Sequence, residues 1–134
     1  MSIQSMKETR RKGDSKRLDT IMALVVEAGD RLTLGRYEEL INNVIRNATG
    51  LNKETSRATF RSECELVLHP DVRPYFSSIL QLSQKVWDDR KTNDHSKYHI
   101  VMKICKQLKG GRYSVARSLD FIEKHYAAHG TLPL

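Results

Sequence analysis

His95 and His99 stand four residues apart in a segment read as helical, the spacing that sets two imidazoles on one helix face and makes half of a metal site. No Glu follows His95, and no third ligand stands at a usual distance, so no metal is expected. The two cysteines, Cys64 and Cys105, lie far apart in helical segments and read as free, packed thiols. No phosphate-cradling glycine loop and no nucleophile motif occurs, and no cofactor is expected. The chemistry left to the chain is that of its charges.

Those charges are unevenly placed. Residues 1–17 hold six Lys/Arg against two acids, and residues 90–134 hold nine against three. The stretch between, 18–89, holds eight against eleven, so the whole formal charge of +7 comes from the two ends. A polyanion touched by both ends explains this best, and a nucleic-acid backbone is the expected partner. At the N-terminus the candidate contacts are Lys7, Arg10, Arg11, Lys12, Lys16 and Arg17, a basic tail suited to phosphates and carrying little sequence information. Toward the C-terminus Lys103 and Lys106 share a helix face with His99, and Lys109, Arg112 and Arg117 extend the charge across a glycine turn. A solvated face is the alternative for this stripe, and a solubilising tail for the arm.

Elements that position these groups follow from periodicity. Six segments show apolar spacing near 3.6 and none alternates long enough for a sheet, so the expected fold is all-α: a compact bundle of about six helices behind a flexible basic arm at 1–14. A single helical domain is expected over 15–134, with a four-helix front at 15–88 and a two-helix back at 95–130, divided by the charged segment Asp88 to Asp94. The first helix starts near Ser15, turns Leu18, Ile21, Met22 and Val25 inward and stops at Gly29. Thr33 caps the second, which buries Leu34, Tyr37, Leu40, Ile41, Val44 and Ile45. The third follows Asn52, uses Phe60, Cys64, Val67 and Leu68, and ends before Pro70. Asp71 caps the fourth, with Tyr75, Phe76, Ile79, Leu80, Val86 and a largely buried Trp87. The fifth runs from about His95 to Lys109 with Tyr98, Val101, Ile104, Cys105 and Leu108 inward. Ser114 caps the sixth, which buries Val115, Leu119, Ile122 and Tyr126 and ends at Gly130.

Between the second and third helices the run Ile45, Ala48, Thr49, Gly50, Leu51, Asn52, Lys53, Glu54, Thr55, Ser56, Arg57 resembles the turn of a helix-turn-helix. The resemblance implies that Lys53, Arg57 and Arg61 line the side facing a DNA major groove. Arg46 and Ser56 depart from the pattern, at places where a small and an apolar residue are usual. A plain helix hairpin closed by a glycine accounts for the same residues. Arg90 and His95, with four residues between them, faintly resemble the Arg and His pair of helical metal-independent ribonucleases, although Lys91 stands where that family prefers a small polar residue.

The expected function is therefore that of a small nucleic-acid-binding regulator or accessory protein that is not an enzyme, contacting phosphates through its basic ends, with DNA reading by the third helix as an addition. A ribonuclease is the enzymatic alternative. A helical adaptor, or a structural subunit of a larger ribonucleoprotein, is the alternative from another class. DNA and RNA both stay open as partners, as do a homo-oligomer and a larger protein complex. No apolar run approaches a membrane span and the N-terminus is too polar for a secretory signal, so an intracellular site is expected, cytoplasmic or nuclear, with no membrane partner.

Overall fold

The computed structural model describes residues 3–48, 51, 53–90 and 96–133, with side chains for 13–48, 51, 53–89 and 96–133. Among the described residues there are six α-helices, one short 3-10 turn and no strand, so the fold is all-α as expected. No described helix is long and apolar enough to cross a membrane. The chain forms two compact units, Met1–His69 and Pro70–Leu134. The division falls where Pro70 follows the end of the third helix.

In the first unit α1 (Ile3–Ala28), α2 (Leu34–Asn47) and α3 (Glu54–Leu68) pack pairwise against one another. Helix α1 begins at Ile3 rather than near Ser15, because the residues of the basic arm are mostly good helix formers and no proline interrupts them. It passes through Gly13 and ends at Gly29, whose φ of +62° is the left-handed conformation a helix-ending glycine supplies. Its core stripe is Leu18, Ile21, Leu24 and Ala28. At 100° per residue these centre on the Ile21 side, which leaves the expected Met22 exposed and brings in Leu24.

Thr33 caps α2 as expected, its Oγ1 accepting from the Arg36 N–H at 3.2 Å. Leu40 and Ile41 are buried, and Tyr37, Val44 and Ile45 half-buried. Leu34, expected inside, is 73% exposed. It shares an azimuth with Ile41, but helix side chains lean toward the N-terminus, and this first-turn residue projects past the packed part of its stripe. Helix α3 buries Phe60, Cys64, Val67 and Leu68, all four expected. Its N-cap is Lys53, without a side-chain capping bond. Asn52, Thr49 and Gly50, to which the cap and the turn were assigned, lie outside the described residues.

The second unit opens with the 3-10 turn Arg73–Tyr75, followed by α4 (Phe76–Arg90), α5 (Lys97–Gly110) and α6 (Val115–His129). Asp71 is exposed and does not cap α4; the chain enters through the 3-10 turn, whose Pro74 needs no N–H partner there. Phe76, Ile79, Leu82 and Val86 fill the core from α4, with the Ser83 hydroxyl satisfied by the Ile79 carbonyl at 2.7 Å. Trp87, expected to be largely buried, is 40% exposed at the edge of this stripe. An indole is large and carries an N–H, so an edge position that keeps one side wet suits it.

Helix α5 is the centre of the unit, packed against both α4 and α6. It starts behind Ser96, whose hydroxyl accepts from the His99 N–H at 3.1 Å, and not at His95. Beside the five expected core residues it also buries Ile100 and Met102, so only a narrow strip of its circumference meets solvent. Helix α6 buries the four residues expected of it. Ser114 caps it, accepting from the Arg117 N–H at 3.3 Å, and Gly130 ends it at φ +69°. The Tyr126 hydroxyl donates to the Asp89 carboxylate and ties α6 to α4.

Candidate nucleic-acid interface

Because α5 is buried on most sides, its few polar residues are confined to the remaining strip. His99, Lys103 and Lys106 occupy it at steps of four and three, with Lys109 beside them, all exposed. The sequence expected this stripe, and the structure places it on the most deeply packed helix of the unit. Gly111 then takes an extended conformation (φ −78°, ψ 161°), stops the helix and turns the chain toward α6. Arg112 and Arg117, on either side of the Ser114 cap, are exposed on that turn and the first turn of α6.

Among the described residues Lys103, Lys106, Lys109 and Arg112 form no ion pair. By contrast Lys124 on α6 is paired with Asp120 at 2.9 Å, and that carboxylate raises its pKa by a hydrogen bond and by its charge. Residues 70–134 hold eleven Lys/Arg against six acids, so most of the net positive charge belongs to this unit. Four cations without carboxylate partners on one helix strip and the turn after it repel one another in the free protein, and an anionic ligand relieves that repulsion.

Arg117 is held differently. Its guanidinium lies over the Tyr113 ring, 4.5 Å from the centroid. Tyr113 and Phe121 are each 60% exposed and flank a groove of about 430 Å³ floored by Gly111, Ser118 and Ile122. A Cβ at Gly111 would meet the Ser118 Oγ at 3.4 Å, an ordinary van der Waals contact. The Phe121 ring centroid is 6.0 Å from that of His125, which is 4.5 Å from that of His129. His125 Nδ1 donates to the Thr131 carbonyl at 2.9 Å, which holds that ring in place. Tyr113, His125 and His129 were not singled out from the sequence. The signal was their spacing of four with Arg117 and Phe121 between them, hidden when residues are sorted by charge alone.

The other expected contacts are placed less favourably. On α1, Lys16 is exposed, and Arg17 stands 3.8 Å from Asp14. The side chains of Lys7, Arg10, Arg11 and Lys12 lie outside the described residues. In the segment resembling a helix-turn-helix, Lys53 is exposed, but the Arg57 guanidinium donates to the Leu51 carbonyl at 2.9 Å and Arg61 donates to Asn42 Oδ1 at 2.8 Å. One closes the turn and the other ties α3 to α2. The connection runs from Ala48 to Lys53, longer than the three or four residues usual in that motif.

Arg90's side chain, Lys91 and His95 lie outside the described residues, so the ribonuclease-like pair and the His95–His99 half-site do too. Among the described residues no group of three or more His, Cys, Asp or Glu is gathered as a metal would require. Both thiols are fully buried and pushed up to about 12, chiefly by that burial, which makes them poor nucleophiles at neutral pH. No protein-family model, no curated protein and no solved structure matches this chain.

Proposed function

We propose that this protein binds the phosphate backbone of nucleic acid, with the exposed strip of α5 and the turn into α6 as its principal contact and the basic segment of α1 as a second. One observation carries the reading. Lys103, Lys106, Lys109 and Arg112 are exposed in one short stretch with no ion pair among the described residues. Backbone recognition needs this kind of surface: mobile cations on a rigid support, each displacing condensed counterions from the polyanion. The engagement of Arg57 and Arg61 inside their own unit favours backbone binding over major-groove reading by α3.

Binding of labelled duplex DNA, single-stranded DNA and RNA by the full chain, measured across a salt series, tests this. Each phosphate contact contributes about 0.9 to the slope of log K against log salt for a duplex and about 0.7 for a single strand. The double change Lys103→Glu and Lys106→Glu should therefore flatten the slope by at least about 1.4 to 1.8 and weaken all sequences alike. An unchanged slope, or binding insensitive to salt in the unmodified protein, refutes the reading.

A further inference from the structure

Tyr113, Arg117, Phe121, His125 and His129 follow one another at steps of four along α6 and the turn before it. Each step of four turns by about 40° on a helix, so the five side chains make a slowly winding row of flat groups. The row has two contacting parts: the Arg117 guanidinium over the Tyr113 ring at 4.5 Å, and the Phe121, His125 and His129 rings at 6.0 and 4.5 Å, tilted from one to the next by 46° and 47°. Tyr113 and Phe121 are among the few large apolar side chains the described chain exposes, and both flank the groove beside the basic turn. Both rings stand mostly in solvent and add little to the core. Their neighbours also include Lys109, Arg112 and Arg117, so a neutral apolar partner would strand these charges at its edge.

We infer that this row is a stacking platform for unpaired bases, and that the ligand is single-stranded nucleic acid. The cations of α5 and the turn track its phosphates while successive bases lie on Tyr113 and Phe121. The inference rests on the phosphate-binding reading and goes past it, because a duplex offers the same phosphates but keeps its bases stacked inside. Bases have flat π faces whatever their identity, so the platform is tolerant of sequence. The Arg117 guanidinium, held over the Tyr113 ring, supplies a cation beside the same groove.

The experiment compares three probes of about fifteen nucleotides, near the upper site size for such surfaces: a thymidine strand, an abasic strand of the same phosphate count, and a duplex. Affinity is measured for the full chain, for the double variant Tyr113→Ala and Phe121→Ala, and for Tyr113→Phe with Phe121→Tyr. Both positions are exposed, so helical content by circular dichroism should be the same in all three proteins. The unmodified protein should prefer the thymidine strand to the abasic one. The alanine variant should lose roughly 5- to 150-fold per ring on the thymidine strand, with abasic and duplex affinities and the salt slope unchanged. The ring-keeping variant should bind like the original. Equal affinity for thymidine and abasic strands, or an alanine variant that still prefers the thymidine strand, overturns the stacking inference and leaves backbone binding standing. Failure of all three probes to bind with salt dependence overturns both.

Discussion

Truncating Ile79 to alanine should open the second unit, and Cys105 should report it. Ile79 on α4 is 0% exposed, and α4 packs against the helix that carries Cys105, itself 0% exposed. Burial holds the Cys105 thiol up to about 12 from an ordinary 9.0, so at pH 8 only about one part in ten thousand of the native thiol is ionised, against about a tenth once exposed. Reagent access is barred as well, so labelling must pass through an opened state. A wholly buried Ile cut to Ala costs about 2 to 5 kcal/mol of lost transfer energy and cavity. When reclosing outpaces labelling, the rate follows the open population, and that loss multiplies it by about 30- to 5000-fold, capped at the rate of a free thiol. Labelling with iodoacetamide at pH 8, followed by mass analysis of the Cys105 peptide, gives the number. A rate within about threefold of the unmodified protein would show that Ile79 does not support the packing over Cys105, and the grouping of α4 with α5 would be wrong.

Both buried thiols also set an alkaline limit. Their pKa is raised in the folded chain, so the unfolded chain sheds these protons first. Stability is intact below about pH 9 and falls toward about pH 12 by up to about 1.4 kcal/mol per pH unit for each thiol. Denaturant midpoints at rising pH should show a steeper decline in the native protein than in one with both cysteines changed to alanine, and equal declines would contradict the burial. Tyr126→Phe should cost about 1 to 2 kcal/mol by removing the bond to Asp89, near the low end for a charged acceptor because Asp89 is exposed; a neutral change would place that carboxylate elsewhere in solution. Gly13→Ala should raise the melting temperature, by up to about 1 kcal/mol of helix propensity, since a Cβ there meets nothing within 4 Å. A lowered melting temperature would mean that α1 does not run through Gly13.

Helix number, the caps at Thr33 and Ser114 and most inward positions were legible because each rests on local physics. Thr33 and Ser114 each have a short polar side chain placed to accept from an N–H three residues on, and Gly29 and Gly130 supply positive φ, whatever the rest of the chain does. Periodicity reads azimuth well and reach poorly. Leu34 lies on the right face of α2 and still meets water, as a first-turn residue whose side chain leans past the packed part of its stripe. On α5 the error ran the other way: a helix covered on several sides buries Ile100 and Met102, which a one-sided stripe does not predict. The basic stripe was legible since the charges are adjacent on one element. Engagement of Arg57 by the Leu51 carbonyl and of Arg61 by Asn42 was not, because both depend on how α2, α3 and their connection meet in space.

The burial of one broad face of α5 has a consequence for how this surface can change over generations. Substitutions at Ile100, Val101, Met102, Ile104 or Cys105 act on folding first, and most will be purged for that reason. Lys103 and Lys106 are the exceptions within the same stretch, since their heads stand in solvent and no core atom depends on them. Charge there can be raised, lowered or reversed at almost no cost to the fold. Drift or selection can retune the grip on a polyanion through these two positions while the frame beneath them stays constant.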